Sequence, residues 1–235
     1  MFTRILFTAL IAGIVAGICT AILQTVITTP LIVAAEQYEV SAAAAELAGG
    51  ERLYLAHTAD DHGDVWAPAD GLPRTLYTSL GTVGTTFGFA LVLLSLMQIA
   101  RAEITPRNGL LWGFAGFACT GLAPALGLSP ELPGSGAADL LSRQVWWIGT
   151  ALATAAGLWL ALRVSSAGAI VAGVALILLP HLIGAPRPAE LVSGVPAEIS
   201  AEFAAASLVV HAVAWSLTGL VAGFLWQRGF AVRTA

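Results

Sequence analysis

The sequence predicts an all-α fold, a polytopic bundle of about six transmembrane helices in a single transmembrane domain covering residues 1–235. Of its 235 residues, 57% are hydrophobic and 10% are charged, whereas a soluble domain carries about a quarter charged residues. Apolar runs of the roughly 20 residues that a helix needs to cross a bilayer recur six times along the chain. A charged fraction of 10% is also too low for the surface of a soluble domain.

Six segments qualify as transmembrane helices by length and composition. They cover residues 5–33, 76–100, 109–128, 144–162, 166–184 and 203–227. Only a short segment containing Arg163 and Ser165 separates the fourth run from the fifth, so five spans remain an alternative if that hairpin is re-entrant. The hydrophilic segment at about 34–75 is predicted to be a long outer loop.

Charge distribution predicts the orientation, because arginines concentrate on the cytoplasmic side of membrane proteins. With the N-terminus inside, the outer segments hold four arginines and thirteen acids. The inner segments hold one acid, Glu103, and six arginines: Arg4, Arg101, Arg107, Arg163, Arg228 and Arg233. Both termini are therefore predicted to be cytoplasmic, and the outer face is predicted to be acidic.

The charged and sulfur-containing residues argue against several functional classes. All ten cationic residues are arginine, so the Gly-Lys-Ser/Thr of a phosphate-binding loop is absent and the chain is not itself an ATP motor. It carries no basic patch for nucleic acid. Its two cysteines, Cys19 and Cys119, lie in separate apolar runs without metal-ligand spacing. We expect neither catalytic residues nor a permanently bound cofactor.

Four pairs of glycines are spaced four residues apart within the predicted spans. Such pairs place two glycines on one helix face and let two backbones approach closely. We expect internal packing from them rather than dimerisation. The pairs are Gly13/Gly17, Gly84/Gly88, Gly109/Gly113 and Gly219/Gly223.

The outer loop contains a cluster of potential metal ligands. His57 and His62 lie within eight residues of three aspartates. Imidazole and carboxylate groups suit a borderline divalent cation such as cobalt, nickel or zinc. The alternative is an ordinary solvated acidic loop.

Further titratable groups are predicted in or above the outer half of the bundle. Glu36 and Glu39 share a helix face if the first helix continues past its span, and Glu131 follows the third span. His181 and His211 fall within spans, where ionisable groups usually line a cavity or pathway. Together with Glu202, at the start of the sixth span, these residues predict a cation-attracting outer vestibule, whereas the inner half shows no complete path of ligands.

Several short motifs occur in a specific order and spacing along nearly the whole chain, and with them the sequence resembles the CbtA family of probable cobalt transporter subunits. The motifs are Arg4-x-Leu6, Ala9-Leu10-x-Ala12-Gly13, Thr29-Pro30-Leu31-Ile32, Ala35-Glu36-Gln37-Tyr38-Glu39, Pro130-Glu131-Leu132-Pro133-Gly134, Asp139, Arg143-Gln144-x-Trp146-Trp147, Pro180 to Pro186, and Val195-Pro196-Ala197-Glu198 before Phe203.

The resemblance implies a multi-pass protein of the bacterial inner membrane that takes up cobalt for corrinoid (cobalamin) synthesis. It also implies a small partner of the CbtB kind, with one span and a histidine-rich tail. At the motif positions, it makes Glu36, Glu39, Glu131 and His181 candidate metal contacts.

The leading hypothesis is a metal-uptake subunit in which the divalent cation meets His57 and His62 and passes to Glu36, Glu39 and His181. One alternative is a non-transporting scaffold or metal-delivery subunit for the small partner. Another is a membrane enzyme or haem protein, which is disfavoured because the spans carry only two well-separated histidines.

Overall fold

The computed structural model describes residues 1–49, 68–188 and 193–229, and the side chains of residues 39–49 lie outside that part. The predicted all-α fold class is confirmed. The helices are α1 (Phe2–Gly49), α2 (Leu72–Ile99), α3 (Pro106–Phe117), a π-helical turn (Ala118–Leu122), α4 (Ala123–Ala125), α5 (Leu140–Arg163), α6 (Ala167–Ile183) and α7 (Ala197–Gln227).

Four of these helices are long and apolar enough to cross a membrane, namely α1, α2, α5 and α7. The shorter apolar helix α6 occupies the fifth predicted span. The third predicted span corresponds to the continuous helical stretch from α3 through the π-helical turn to α4. By length and composition, four helices could therefore cross a membrane, and helices occupy all six predicted segments.

Within the predicted outer loop at 34–75, residues 34–49 are helical rather than a loop, because α1 continues through Pro30 as far as Gly49. Between Pro30 and Gly49 the chain has no further proline or glycine and is rich in alanine and glutamate. These are strong helix formers, so the helix persists after its apolar run ends. Hydropathy located the apolar run but not the end of the helix.

The third predicted span differs from a regular helix at its middle. Residues Ala118–Leu122 form a π-helical turn immediately before Pro124. Proline lacks an N–H, and its ring clashes with the carbonyl four residues earlier in a regular α-helix. The wider π turn relieves that conflict, and such turns often occur at functional sites.

Helix α7 is the centre of the bundle and packs against α1, α2 and α3. At the α3–α7 crossing, Gly109 and Gly113 face Gly219 and Gly223 so closely that a Cβ on Gly219 would overlap the Gly109 carbonyl oxygen. This is the close backbone approach that small residues allow. Gly13 and Gly17 face α2 at similarly close range. Together with the two pairs at the α3–α7 crossing, three of the four predicted glycine pairs therefore pack internally.

The start of α1 and the end of α7 lie on the same side of the bundle. The Arg4 guanidinium donates to the Trp226 carbonyl oxygen and stacks over the Trp226 ring, with 4.0 Å from Cζ to the ring centroid. A chain that crosses a membrane an even number of times must have its first and last helix ends on the same side, as these are. The same half of the bundle holds a buried apolar cluster: Ala9, Ala12, Ala90, Leu94, Met97, Ile104, Ala222 and Leu225.

The opposite end of the bundle is closed by loops. Ala35 of α1 packs against Leu132 and Val195, which belong to the segments before α5 and α7. An isolated antiparallel bridge joins Ser135 to Ser193 and ties the two segments together. By the predicted orientation this is the outer end, and it holds the described candidate site residues.

Candidate functional site

Glu36 is held by an arginine of the neighbouring helix. Arg74 of α2 donates through both terminal nitrogens to the Glu36 carboxylate, with Nη1 at 3.0 Å from Oε2. Asp70 lies 3.2 Å from the same Nη1. A bidentate guanidinium contact is a strong, geometrically specific one. Glu36 therefore links α1 to α2, and a metal ion would have to displace Arg74 to reach it.

Glu131 is also paired with an arginine, through a single contact. Its Oε2 lies 2.6 Å from Nη2 of Arg143, which belongs to the first turn of α5. Both side chains are less than a third exposed. The α5 N-terminus itself is fixed by Asp139, whose carboxylate accepts from the Ser142 N–H and hydroxyl, and these hydrogen bonds lower the pKa of Asp139.

His181 is the one predicted site residue whose polar atoms have no partner in the described part of the chain. Both ring nitrogens are buried and neither forms a hydrogen bond there. The ring stacks on Trp146, with centroids 6.0 Å apart, and the Trp146 indole donates to the Pro180 carbonyl oxygen at 3.3 Å. Because buried polar groups are nearly always hydrogen-bonded, an unpartnered imidazole calls for an explanation.

Two cavities open beside α7 in the outer half of the bundle. The first, which we call the threonine cavity, has a volume of about 470 Å³ and lies between α1, α2 and α7. Its polar lining consists of hydroxyl, amide and imidazole groups: Thr20, Gln24, Thr28, Thr78, Thr82, Thr85, Thr86, Ser207 and His211. No charged side chain is among its described lining residues, so the threonine cavity is polar but uncharged.

The second, the arginine cavity, has a volume of about 680 Å³ and lies between α7, α5 and the segment around Glu131. Its charged lining residues are Glu131 and Arg143, and its other polar ones are Thr120, Ser129, Gln144, Ser207 and His211. Ser207 and His211 line both cavities. His211 lies 14 residues into α7, about 21 Å along its axis at 1.5 Å per residue, so both cavities reach the middle of the bundle.

The imidazole of His211 is held by residues that the sequence did not single out. Trp215 donates through its indole N–H to Nε2 at 2.8 Å, and the Thr120 hydroxyl lies 3.2 Å from the same atom. Thr120 belongs to the π-helical turn, which sets the position of its hydroxyl. Phe89 stacks on the imidazole at 5.9 Å. The Trp215 bond requires an unprotonated Nε2, so this ring is neutral.

The Trp215 hydrogen bond allows a direct test. We expect Trp215→Phe to lower the free energy of unfolding by about 0.5–1.5 kcal/mol, because it leaves Nε2 without its donor. Thermal unfolding of the detergent-solubilised protein measures this. Trp159→Phe is the control, since Trp159 is 45% exposed. Equal midpoints for the two variants would contradict the assignment.

The candidate site residues do not converge on one point in the described structure. There, no group of three or more His, Cys, Asp or Glu side chains is placed to hold a metal ion. The side chain of Glu39 and the residues His57 and His62 lie outside the described part, so their role stays a prediction. What the structure brings together is Glu36 with Arg74, Glu131 with Arg143, and His181 with Trp146.

Comparison with known proteins identifies the family. No curated protein matches the chain, and no solved structure does. One family model matches residues 2–227, which is nearly the whole chain, and its description is "probable cobalt transporter subunit (CbtA)". Together with the apolar helices, this match indicates a multi-pass membrane protein of a transporter-subunit class. The chain belongs to the CbtA family.

Proposed function

We propose that this chain is a subunit for the uptake of divalent metal ions across the bacterial inner membrane, with cobalt as its substrate, and that it supports cobalamin synthesis. The family description supports a role in cobalt transport. The excess of acids over arginines on the predicted outer side would concentrate cations there. Metal contacts are assigned to Glu36, Glu39, His57, His62, Glu131 and His181.

The observation that carries this proposal is the unpartnered imidazole of His181. Imidazole groups are common ligands for borderline divalent cations. Both ring nitrogens of His181 are buried without a hydrogen bond in the described part of the chain. Desolvating such a group costs about 1–3 kcal/mol. A passing metal ion would repay that cost, and a purely structural role would not.

A second function is favoured by the pairing of the acids with arginines. Glu36 and Glu131 each already have a guanidinium partner, and the described residues offer no three-ligand group. This arrangement fits a scaffold or metal-delivery subunit to which a small single-span, histidine-rich partner of the CbtB kind supplies the remaining ligands.

Uptake of radioactive cobalt into sealed liposomes distinguishes the two functions. We expect saturable uptake by liposomes that contain this chain, either alone or together with the partner, and competition by nickel and zinc. Uptake by the chain alone would establish a permease. Uptake that needs the partner but not this chain would establish the scaffold. Empty liposomes are the control, and absence of uptake in every combination would contradict both functions.

A further inference from the structure

The ion pair between Glu131 and Arg143 lies in the wall of the arginine cavity rather than on an open surface. Nη2 of Arg143 and Oε2 of Glu131 are 2.6 Å apart, and the two side chains are 28% and 29% exposed. Both residues line the cavity. Each of them is therefore reachable by solvent and by a cation that enters from the outer end.

The arginine cavity is large enough for a hydrated divalent cation. Six waters at about 30 Å³ each occupy about 180 Å³, compared with the cavity volume of about 680 Å³. From the Glu131 segment the cavity extends to Ser207 and His211 of α7. A cation inside it would therefore move from the outer end toward the middle of the bundle.

Glu131 is the carboxylate among the described residues that line this cavity. His211 lies at its inner end, but its Nε2 already accepts from Trp215 at 2.8 Å, so that lone pair is not free for a metal ion. The remaining polar groups are hydroxyls and an amide. The anionic group that a divalent cation would seek is therefore the Glu131 carboxylate, and Arg143 occupies one of its two oxygens, Oε2.

We propose that Arg143 is a tethered counter-cation, which fills the Glu131 site while the arginine cavity is empty and is displaced toward solvent when a divalent cation enters. This inference rests on the proposed function, because it takes a divalent cation as the substrate. A doubly charged ion attracts the carboxylate more strongly than one guanidinium at equal distance. The long side chain of Arg143 can carry its charge into water.

Such a device keeps the empty cavity electrically neutral, which matters because an unpaired charge in a partly buried site is costly. It also sets the affinity, since every bound cation must compete with Arg143. Solvent-accessible ion pairs change an equilibrium constant by only about 1.4- to 5-fold in other proteins, so the competition weakens binding without preventing it.

Equilibrium cobalt binding to the purified full-length chain, at constant ionic strength, tests the proposal. We expect Arg143→Gln to tighten cobalt binding by about threefold, within the range of about 1.4- to 5-fold that the loss of one solvent-accessible ion pair gives. Arg143→Lys keeps a charged competitor and should bind nearly as the unchanged protein does. The Glu131→Gln/Arg143→Gln double variant should lose the gain, because the carboxylate is then absent.

The matched control is Arg163→Gln. Arg163 ends the same helix at its opposite end, where it donates to the Ala100 carbonyl oxygen at 2.7 Å, so this variant removes the same charge from α5 away from the cavity. Equal affinities for Arg143→Gln and Arg163→Gln would overturn the proposal. So would an affinity gain that survives in the double variant.

The outcomes separate this inference from the proposed function. Cobalt binding by the unchanged protein without any effect of Arg143→Gln would overturn the tethered counter-cation and leave the metal-uptake function standing. Absence of binding in every variant, including Arg143→Gln, would overturn both. Binding that appears only when Arg143 is replaced would support the proposal. Size-exclusion profiles establish that each variant is folded.

Discussion

Gly219→Ala is expected to be among the most destabilising single-methyl changes in the bundle centre. A Cβ at this position would overlap the Gly109 carbonyl oxygen and lie 3.3 Å from the Gly113 Cα. These are backbone atoms of a facing helix, so neither can rotate away as a side chain does. Overpacking of this kind costs about 1–3 kcal/mol or more, and we expect α3 and α7 to separate.

Thermal unfolding in detergent, followed by size-exclusion chromatography of the remaining folded protein, measures the effect. Gly84→Ala is the matched control, because a Cβ there would meet no atom within 4 Å. Alanine is a better helix former than glycine by up to about 1 kcal/mol, so the control should be neutral or stabilising. A similar loss in both variants would contradict the packing account.

The same contact can be approached from the other helix. A Cβ on Gly109 would overlap the Gly219 carbonyl oxygen, so Gly109→Ala should be about as destabilising as Gly219→Ala. Because both changes disrupt one crossing, their effects in the double variant should not add. Full additivity would show that the two glycines act at separate places.

His181→Phe is expected to raise stability while it removes the response to cobalt. Phenylalanine keeps the aromatic stacking on Trp146 and removes the two unpartnered ring nitrogens. Each unsatisfied buried polar group costs about 1–3 kcal/mol, and for a chain of this size one kcal/mol shifts the unfolding midpoint by about 2–4 °C. The unfolding midpoint should therefore rise by several degrees.

The cobalt response is the second half of this test. A ligand that binds the folded state raises the midpoint, so cobalt should stabilise the unchanged protein and should stabilise His181→Phe less or not at all. Leu182→Ala is the control, because Leu182 is 82% exposed on the same helix end and should keep the cobalt response. A less stable His181→Phe protein with an intact cobalt response would assign His181 a structural role.

Several features of the fold could be predicted from the sequence because they depend on local composition. The apolar runs predicted the position of each long helix in the described part of the chain, including α6 with its 17 residues. The glycine spacing predicted the close crossings, since two glycines four residues apart always share a helix face. The end of α1 was missed because a helix can outlast its apolar run when strong helix formers follow.

The candidate site was less predictable. Acid positions indicated Glu36 and Glu131 but not their partners, since Arg74 and Arg143 are 38 and 12 residues away in the chain. The Thr120 contact with His211 spans 91 residues. The one local signal for Thr120 was Pro124, which requires an irregular helix just before it. Trp215, one turn after His211, could have been found by its spacing.

The sequence by itself determined that the chain is a bundle of apolar helices and predicted that its outer side is acidic, because hydrophobic runs and charge counts are properties of local composition. The family resemblance, which rests on motif order, could also be seen in the sequence and is confirmed. Only the tertiary structure decided which of the described acids are paired with arginines, which of the two described histidines has unpartnered ring nitrogens, and where the cavities lie. These depend on contacts between distant segments, and helix packing alone brings such segments together.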